Sequence, residues 1–344
     1  MTAAGDAASV PIDQPDFVEA YERLRTDVAA VAVQRDVLRV SGVDALEYLQ
    51  GQLSQDVAAL GVGESADSLI LTPQGKLDAL VRVSRTGDEE LVLDVDGGFG
   101  AVVAARLARF KMRVKADIEP LAWRCVTLRG PRAAAVAGSL LQGAPSGETG
   151  PRSVAAVFSW NGVSGVDLLG EAPDIPAGVR AGSIEAWEAV RVEAGIPIMG
   201  AELDERTIAA EADLLERCVS FTKGCYTGQE LVARLDARGN RVTRHLRGLV
   251  VVGLGADAPG PVDLGAGSPV APGSEILFEG KVVGSVTSSA WSPRLGHPVA
   301  LGYVHRTVAA PSTVELSIAG DAGGAGGAGQ RTVVTAEVRT LPLA

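Results

Sequence analysis

Residues 41–84, "SGVDALEYLQGQLSQDVAALGVGESADSLILTPQGKLDALVRVS", change their hydrophobic period halfway along. In the first half Leu46, Leu49, Leu53, Val57 and Leu60 recur at spacings of three or four, which is one face of a helix. Gly51 interrupts that face, so two short helices are expected rather than one long one. The second half, from Ser68, reads as strand, Pro-Gln-Gly turn, strand. Downstream, "EELVLDVDGG" adds a strand closed by glycines, and "FGAVVAARLARFKM" returns to helical spacing. Upstream, Asp27–Ser41 is rich in Val and Ala and reads as a strand pair or one long strand. The order β-α-β-β-β-α describes an α+β unit with a mainly antiparallel sheet.

That order recurs. "WRCVTLRG" is a strand, "PRAAAVAGSLL" a helix with Pro near its start, and "VAAVFSW" with "GVDLLG" a strand pair. "SIEAWEAVRVEAG" closes the unit as a helix, with Gly195 where a C-terminal cap belongs. "QGAPSGETGPRS" reads as a flexible connection within it. After residue 244 the pattern changes to short strands split by Gly/Pro turns, the signature of a small all-β barrel. Glu279–Gly280 in "FEGKVVG" marks a hairpin. "AGDAGGAGGAGQ" reads as a low-complexity hairpin tip; it lacks the Lys and Ser/Thr of a phosphate loop. The expected organisation is a flexible tail at 1–26, two α+β halves over 27–120 and 121–244, and a β-barrel over 245–344.

Hydrophobic residues make up 47% of the chain, enough for a sizeable core. The net charge of −11 argues against a nucleic-acid partner held through phosphate contacts. The opening stretch lacks the basic and apolar blocks of a signal peptide, and no apolar run is long enough for a bilayer. A cytoplasmic monomer with no membrane partner is therefore expected. Cys125, Cys218 and Cys225 build no disulfide framework, and His245, His297 and His305 are scattered, so no preformed metal site is expected.

One thiol stands out. In "FTKGCYTGQEL" (221–231), Thr227 and Glu230 have capping-box spacing before apolar Leu231 and Val232, which places Cys225 just outside a helix start. The helix pole and the Lys223 ammonium both favour thiolate over thiol, and Gly224 and Gly228 leave room for close backbone approach. The competing reading is a small packed cysteine in a glycine turn. Cys218, at the end of an apolar helix, and Cys125, in mid-strand, read as core. Glu193 ends a helix at its negative pole, where a carboxylate is disfavoured. It could accept a ring N–H and exocyclic amine, or pair with Arg191 at the surface. Trp187 could supply a stacking plane or simply fill the core.

Together these stretches resemble the YgfZ-type relatives of the glycine-cleavage T-protein, a folate-binding aminomethyltransferase-like family. The resemblance rests on "KGCYTGQE" (223–230), the signature of that branch. It is supported in order by "YLQGQLSQDV" (48–57), "LTPQGKL" (71–77), "RVEAGIPIMGAELDERT" (191–207), "ARGNRVTRHLRGL" (237–249) and "GSVTSSAWSPRLGHPVALGYV" (284–304). The resemblance implies a three-domain ring of two ferredoxin-like α+β halves and a C-terminal antiparallel β-barrel around a pocket for tetrahydrofolate or a derivative. It implies partners among iron–sulfur (4Fe–4S) enzymes or their assembly proteins. Carried over by residue, Glu193 meets the pterin, Trp187 lines the folate pocket, and Arg217 lies near the arginine that meets the glutamyl carboxylate. Cys225 is the hallmark thiol within Lys223, Gly224, Tyr226, Gly228, Gln229 and Glu230; its role stays open between transient ligation of an iron–sulfur species and redox chemistry. The acidic pair that T-proteins need for catalysis falls at Ala79 and Leu80, with Asp78 one residue off and on the opposite strand face. The resemblance therefore implies an accessory protein without aminomethyltransferase catalysis. An aminomethyltransferase or other one-carbon enzyme, and a scaffold with a vestigial pocket, are the alternatives.

Overall fold

The computed structural model describes residues 16–138, 140, 153–252, 270–318 and 332–344. In chain order, α1 (Phe17–Thr26) and β1 (Ala29–Val33) precede β2 (Arg35–Ser41), α2 (Ala45–Gln52), β3 (Ser65–Leu71), β4 (Leu77–Arg85), β5 (Glu90–Asp96), α3 (Gly100–Phe110) and β6 (Asp117–Leu121). Then follow β7 (Arg124–Arg129), α4 (Ala133–Val136), β8 (Ser153–Trp160), β9 (Val163–Gly170), β10 (Arg180–Ala181), α5 (Ile184–Ala194), α6 (Leu215–Cys218) and α7 (Gln229–Asp236). The last strands are β11 (Arg244–Val251), β12 (Glu275–Phe278), β13 (Lys281–Ser292), β14 (His297–His305), β15 (Ser312–Ile318) and β16 (Thr332–Arg339).

Two five-stranded sheets and one closed barrel result. The first sheet runs β3-β4-β5-β2-β6 and the second β10-β1-β7-β9-β8, antiparallel except where β1 meets β10. The barrel runs β11-β14-β13-β12-β15-β16 and is antiparallel throughout. Leu249, Val251, Ile276, Val286, Leu316 and Val338 fill it from alternate strand positions. Its β12–β13 hairpin turns on Glu279 (φ 50°) and Gly280 (φ 73°), the paired left-handed conformation that a two-residue hairpin requires. Helix α5 packs on α1 and on barrel strand β13, so it sits where the pieces meet.

Several expectations need correction. The stretch assigned to a tail over 1–26 contains a helix from Phe17. Asp16 accepts the Val18 and Glu19 N–H groups, and Ala20, Tyr21 and Leu24 face the core at helical spacing. Residues 1–15 lie outside the described residues. The two α+β halves are not contiguous: Asp27–Ser41 is a strand pair whose members join different sheets. β1 pairs with β7 and β10, and β2 with β5 and β6. The polar pair Gln34–Arg35 stands where one strand gives way to the other. The predicted pair of helices after Gly42 is one helix, α2, which carries Gly51 in its last turn and ends as Leu53 becomes extended. The "PRAAAVAGSLL" helix is only the four residues of α4 among the described residues. The Gly-rich tip at 319–330 and most of the 142–153 connection lie outside the described residues.

Candidate functional site

β2 and β4 of the first sheet, β7, β8 and β9 of the second, and α5 border a cavity of 270 Å³. α5 presents Ile184, Trp187, Glu188 and Arg191 to it, the i, i+3, i+4, i+7 stripe of one helix face. Ser183 starts this helix by accepting the Ala186 N–H, and Gly195 ends it at φ 69°. Trp187 is therefore on the cavity wall.

Glu193 is not. Six residues on from Trp187, at about 100° per residue, a side chain lies about 120° away around the helix. Its carboxylate is 0% exposed and accepts the Tyr21 hydroxyl at 2.9 and 2.8 Å as well as the Ser292 hydroxyl, with Arg25 at 3.8 Å. Glu193 thus lies off the wall that Trp187 borders, and Arg191 pairs with Glu188 and Glu202 rather than with it. Burial and the Glu193 charge together push the Tyr21 hydroxyl far above the ordinary tyrosine value. The carboxylate that α5 does offer to the cavity is Glu188, a residue sequence reasoning passed over; its place on the Trp187 stripe was the available signal.

Buried ion pairs line the rest of the wall. Arg82 bridges Asp94 (2.9 Å) and Asp167 (2.5 Å), and Arg35 bridges Asp94 (2.6 Å) and Asp96 (2.5 Å). Arg191, 2% exposed, joins Glu188 (2.7 Å) to Glu202 (3.0 Å). Arg129 pairs with Asp167 at 2.7 Å and lies against two aromatic rings, its Cζ 3.7 Å from the Phe158 centroid and 4.9 Å from that of Trp187. Burial pushes the Asp167 carboxyl up, but Arg129 and Arg82 overcome it and hold the group well below the usual carboxylate range. Of these pairs Arg82–Asp167 joins the first sheet to the second, and these charges can be buried there only because each has a partner.

At the position where the resemblance expects catalytic acids, Leu80 is on the cavity wall and Ala79 is buried. Asp78 instead receives Arg106 at 2.9 Å, away from the cavity. Arg217 borders a second cavity of 370 Å³ together with Trp160, which lines both. Its Nε donates to Asp67 at 2.6 Å and its guanidinium lies 4.2 Å from the Trp160 ring centroid.

Cys225 lines neither cavity; it is exposed, on the loop between α6 and α7. Three of the quoted motifs meet beneath that loop. The Lys223 ammonium donates to the carbonyls of Gln50 (2.7 Å), Leu53 (2.7 Å) and Gln55 (2.8 Å), at the C-terminal pole of α2. Burial lowers it to about 8, against the pull of Asp56. The Thr227 N–H donates to the Gly51 carbonyl, and Gly228 lies against Leu71, Thr72 and Gly75 of the β3–β4 turn. The expected Thr227 cap is not formed: α7 starts after Gly228, at φ 84°, with no side-chain cap, and Gln229 instead accepts the Tyr226 N–H. A Thr227 N–H already committed to Gly51 holds that residue outside the helix. Lys223 therefore serves α2, and Gly228 serves packing; at Gly224 a side chain would meet nothing within 4 Å. Cys125 and Cys218 are buried, as expected, and burial pushes both thiols far up. Among the described residues no group of three or more His, Cys, Asp or Glu is poised for a metal ion, and no helix is long and apolar enough to cross a membrane.

Comparison with known proteins bears on this arrangement. Residues 262–325 match the model of the glycine cleavage T-protein C-terminal barrel domain. An aminomethyltransferase of Saccharopolyspora erythraea is 31% identical, covering 83% of this chain and 81% of its own. An uncharacterised protein of Haemophilus influenzae is 27% identical over 60% of this chain and 68% of its own. The crystal structure of glycine cleavage system aminomethyltransferase T from Bartonella henselae superposes with a TM-score of 0.73 at 20% identity, covering 95% of this chain and 89% of that one. This last likeness bears on the fold, including the two α+β sheets and the closed barrel.

Proposed function

The chain belongs to the glycine-cleavage T-protein-like aminomethyltransferase superfamily, and from that premise we propose that it is a cytoplasmic tetrahydrofolate-binding accessory protein. On this reading it supports the assembly or repair of 4Fe–4S enzymes through Cys225 and does not transfer aminomethyl groups. The observation that carries the reading is Leu80: the strand position at which the family resemblance expects an acid presents a hydrocarbon side chain to the cavity. A hydrocarbon can neither orient nor deprotonate a folate nitrogen.

The residues around the cavity fit a flat polar ring. Trp187, Phe158 and Trp160 offer aromatic surface, and Arg129 keeps a buried Nε without an acceptor among the described residues. Trp187 and Glu188 would hold the ring from α5, and Arg217 stands beyond Trp160 in the neighbouring cavity. Tetrahydrofolate supplies a carrier for one-carbon units. The chain's own contribution is to bind and orient that carrier beneath the two sheets, while the thiol on the Lys223-anchored loop faces solvent, where a client protein can meet it. Between transient ligation of an iron–sulfur species and redox chemistry, exposure serves both.

The experiment is complementation. In cells lacking the gene, activity of a 4Fe–4S enzyme is expected to fall, to recover with the wild-type chain, and not to recover with Cys225→Ala. Full recovery with Cys225→Ala overturns the role of the thiol. The second reading, an aminomethyltransferase, is favoured by the 31% identity to a protein of that name and by the carboxylates of Asp96 and Asp167 on the cavity wall. It predicts methylene-tetrahydrofolate from tetrahydrofolate and an aminomethylated carrier, and absence of that product is the result expected here.

A further inference from the structure

Four guanidinium groups border the central cavity, and three of them spend their Nε on carboxylates. Arg35 Nε donates to Asp94 at 2.8 Å, Arg82 Nε to Asp94 at 2.9 Å, and Arg191 Nε to Glu188 at 2.9 Å. The fourth, Arg129, is 3% exposed, and its Nε is buried with no acceptor among the described residues. A buried guanidinium N–H without an acceptor is costly and rare in a native interior. The group is not loose: Asp167 holds one terminal nitrogen, and the Phe158 and Trp187 rings, 6.2 Å apart at 79°, fix its plane.

The neighbouring charges narrow the acceptor. Arg35, Arg82, Arg129 and Arg191 are paired with Asp94, Asp96, Asp167, Glu188 and Glu202, so the carboxylates outnumber the guanidinium groups and a further anion would meet net repulsion. A neutral carbonyl oxygen would not. On the same wall Glu188 is bonded to Arg191 through Oε2, and its side chain remains 36% exposed, so its other oxygen can accept an N–H. A buried donor and a carboxylate acceptor flanking Trp187 suit a flat ring that carries C=O beside N–H.

We propose that Arg129 is the specificity-determining residue of this cavity: its Nε–H donates to the carbonyl oxygen of a neutral lactam ring lying against Trp187, with Glu188 accepting from the ring's N–H. The inference rests on the reading of the cavity as a folate site and assigns the ring's 4-oxo group to a residue of β7.

The test is calorimetric titration of the full chain with tetrahydrofolate and with 4-amino-4-deoxy-tetrahydrofolate, which replaces the carbonyl acceptor by a donor. Wild type is expected to prefer the 4-oxo form by roughly tenfold or more. Arg129→Lys keeps a cation beside Asp167 but loses the Nε–H, and is expected to bind the 4-oxo form about tenfold more weakly and to show a clearly smaller preference than wild type, the remainder coming from Glu188 and the lactam N–H that the 4-amino ring lacks. Equal wild-type binding of both forms overturns the proposal without any variant, as does an unchanged preference in Arg129→Lys. Tetrahydrofolate binding with no preference leaves the folate reading standing and removes only this inference. Binding of neither compound overturns both.

Discussion

Tyr21 and Glu193 lie 172 residues apart, and the hydroxyl of the first donates to both carboxylate oxygens of the second. Tyr21→Phe would leave a fully buried carboxylate with the Ser292 hydroxyl and a distant Arg25. A loss of about 1–3 kcal/mol is expected in denaturant unfolding. Tetrahydrofolate affinity should stay within about twofold, because Glu193 does not line the cavity. A large loss of affinity with stability preserved would return Glu193 to the ligand.

Gly228 and Gly224 bracket the thiol and should respond differently to alanine. A Cβ at Gly228 would sit 2.5 Å from the Thr72 carbonyl oxygen and 2.7 Å from the Leu71 side chain, on a backbone at φ 84°. Gly228→Ala is expected to cost ~2 kcal/mol or more. Gly224→Ala meets nothing within 4 Å and should fall within ~0.5 kcal/mol of wild type. Thermal melts of the two variants measure the contrast.

Lys223→Met removes three charge-assisted hydrogen bonds from the end of α2 and should cost about 2–3 kcal/mol, since such bonds are not additive. A thiol reagent offers a second reading of the same loop. In the native chain Cys225 should react at once and Cys125 and Cys218 only on unfolding, because the latter are 3% and 0% exposed.

Acid should act on the ion pairs between the sheets. The Asp167 carboxyl is held below its ordinary value of 3.8, so the unfolded chain takes up a proton first as pH falls. Its stabilising contribution is complete above about pH 4 and is lost progressively below that. Asp167→Asn should be less stable than wild type at neutral pH and show a shallower decline between about pH 4 and pH 2. Parallel curves for the two proteins would contradict the assignment.

The barrel was legible because its strands are short, alternate, and turn at Gly or Pro; the paired left-handed residues at Glu279–Gly280 follow from that grammar. The Trp187 helix was legible from Ser183 to Gly195. What α5 does with its faces was not, because Glu193 drew attention by its place at the helix pole, whereas the period through Trp187 selects Glu188 and Arg191. The partner strands of Asp27–Ser41 were hidden for a different reason. A strand's period says which side chains share a face, and nothing in β1 names β7 or β10 as its neighbour. The Arg82–Asp167 pair was hidden in the same way, because its two members lie on strands of different sheets.

The bond between the Leu343 N–H and the Glu193 carbonyl, 2.6 Å long, ties a third segment of the chain to α5. α5 is held by Tyr21 from the start of the described chain, by Ser292 from the barrel, and by Leu341 and Leu343 from its end, Leu341 lying against Gly195. The surroundings of Glu193 are therefore closed by three segments far apart in sequence, at Tyr21, at Ser292 and at Leu341–Leu343. A local change in any one of them is passed to the helix that carries Trp187 and Glu188 to the cavity wall.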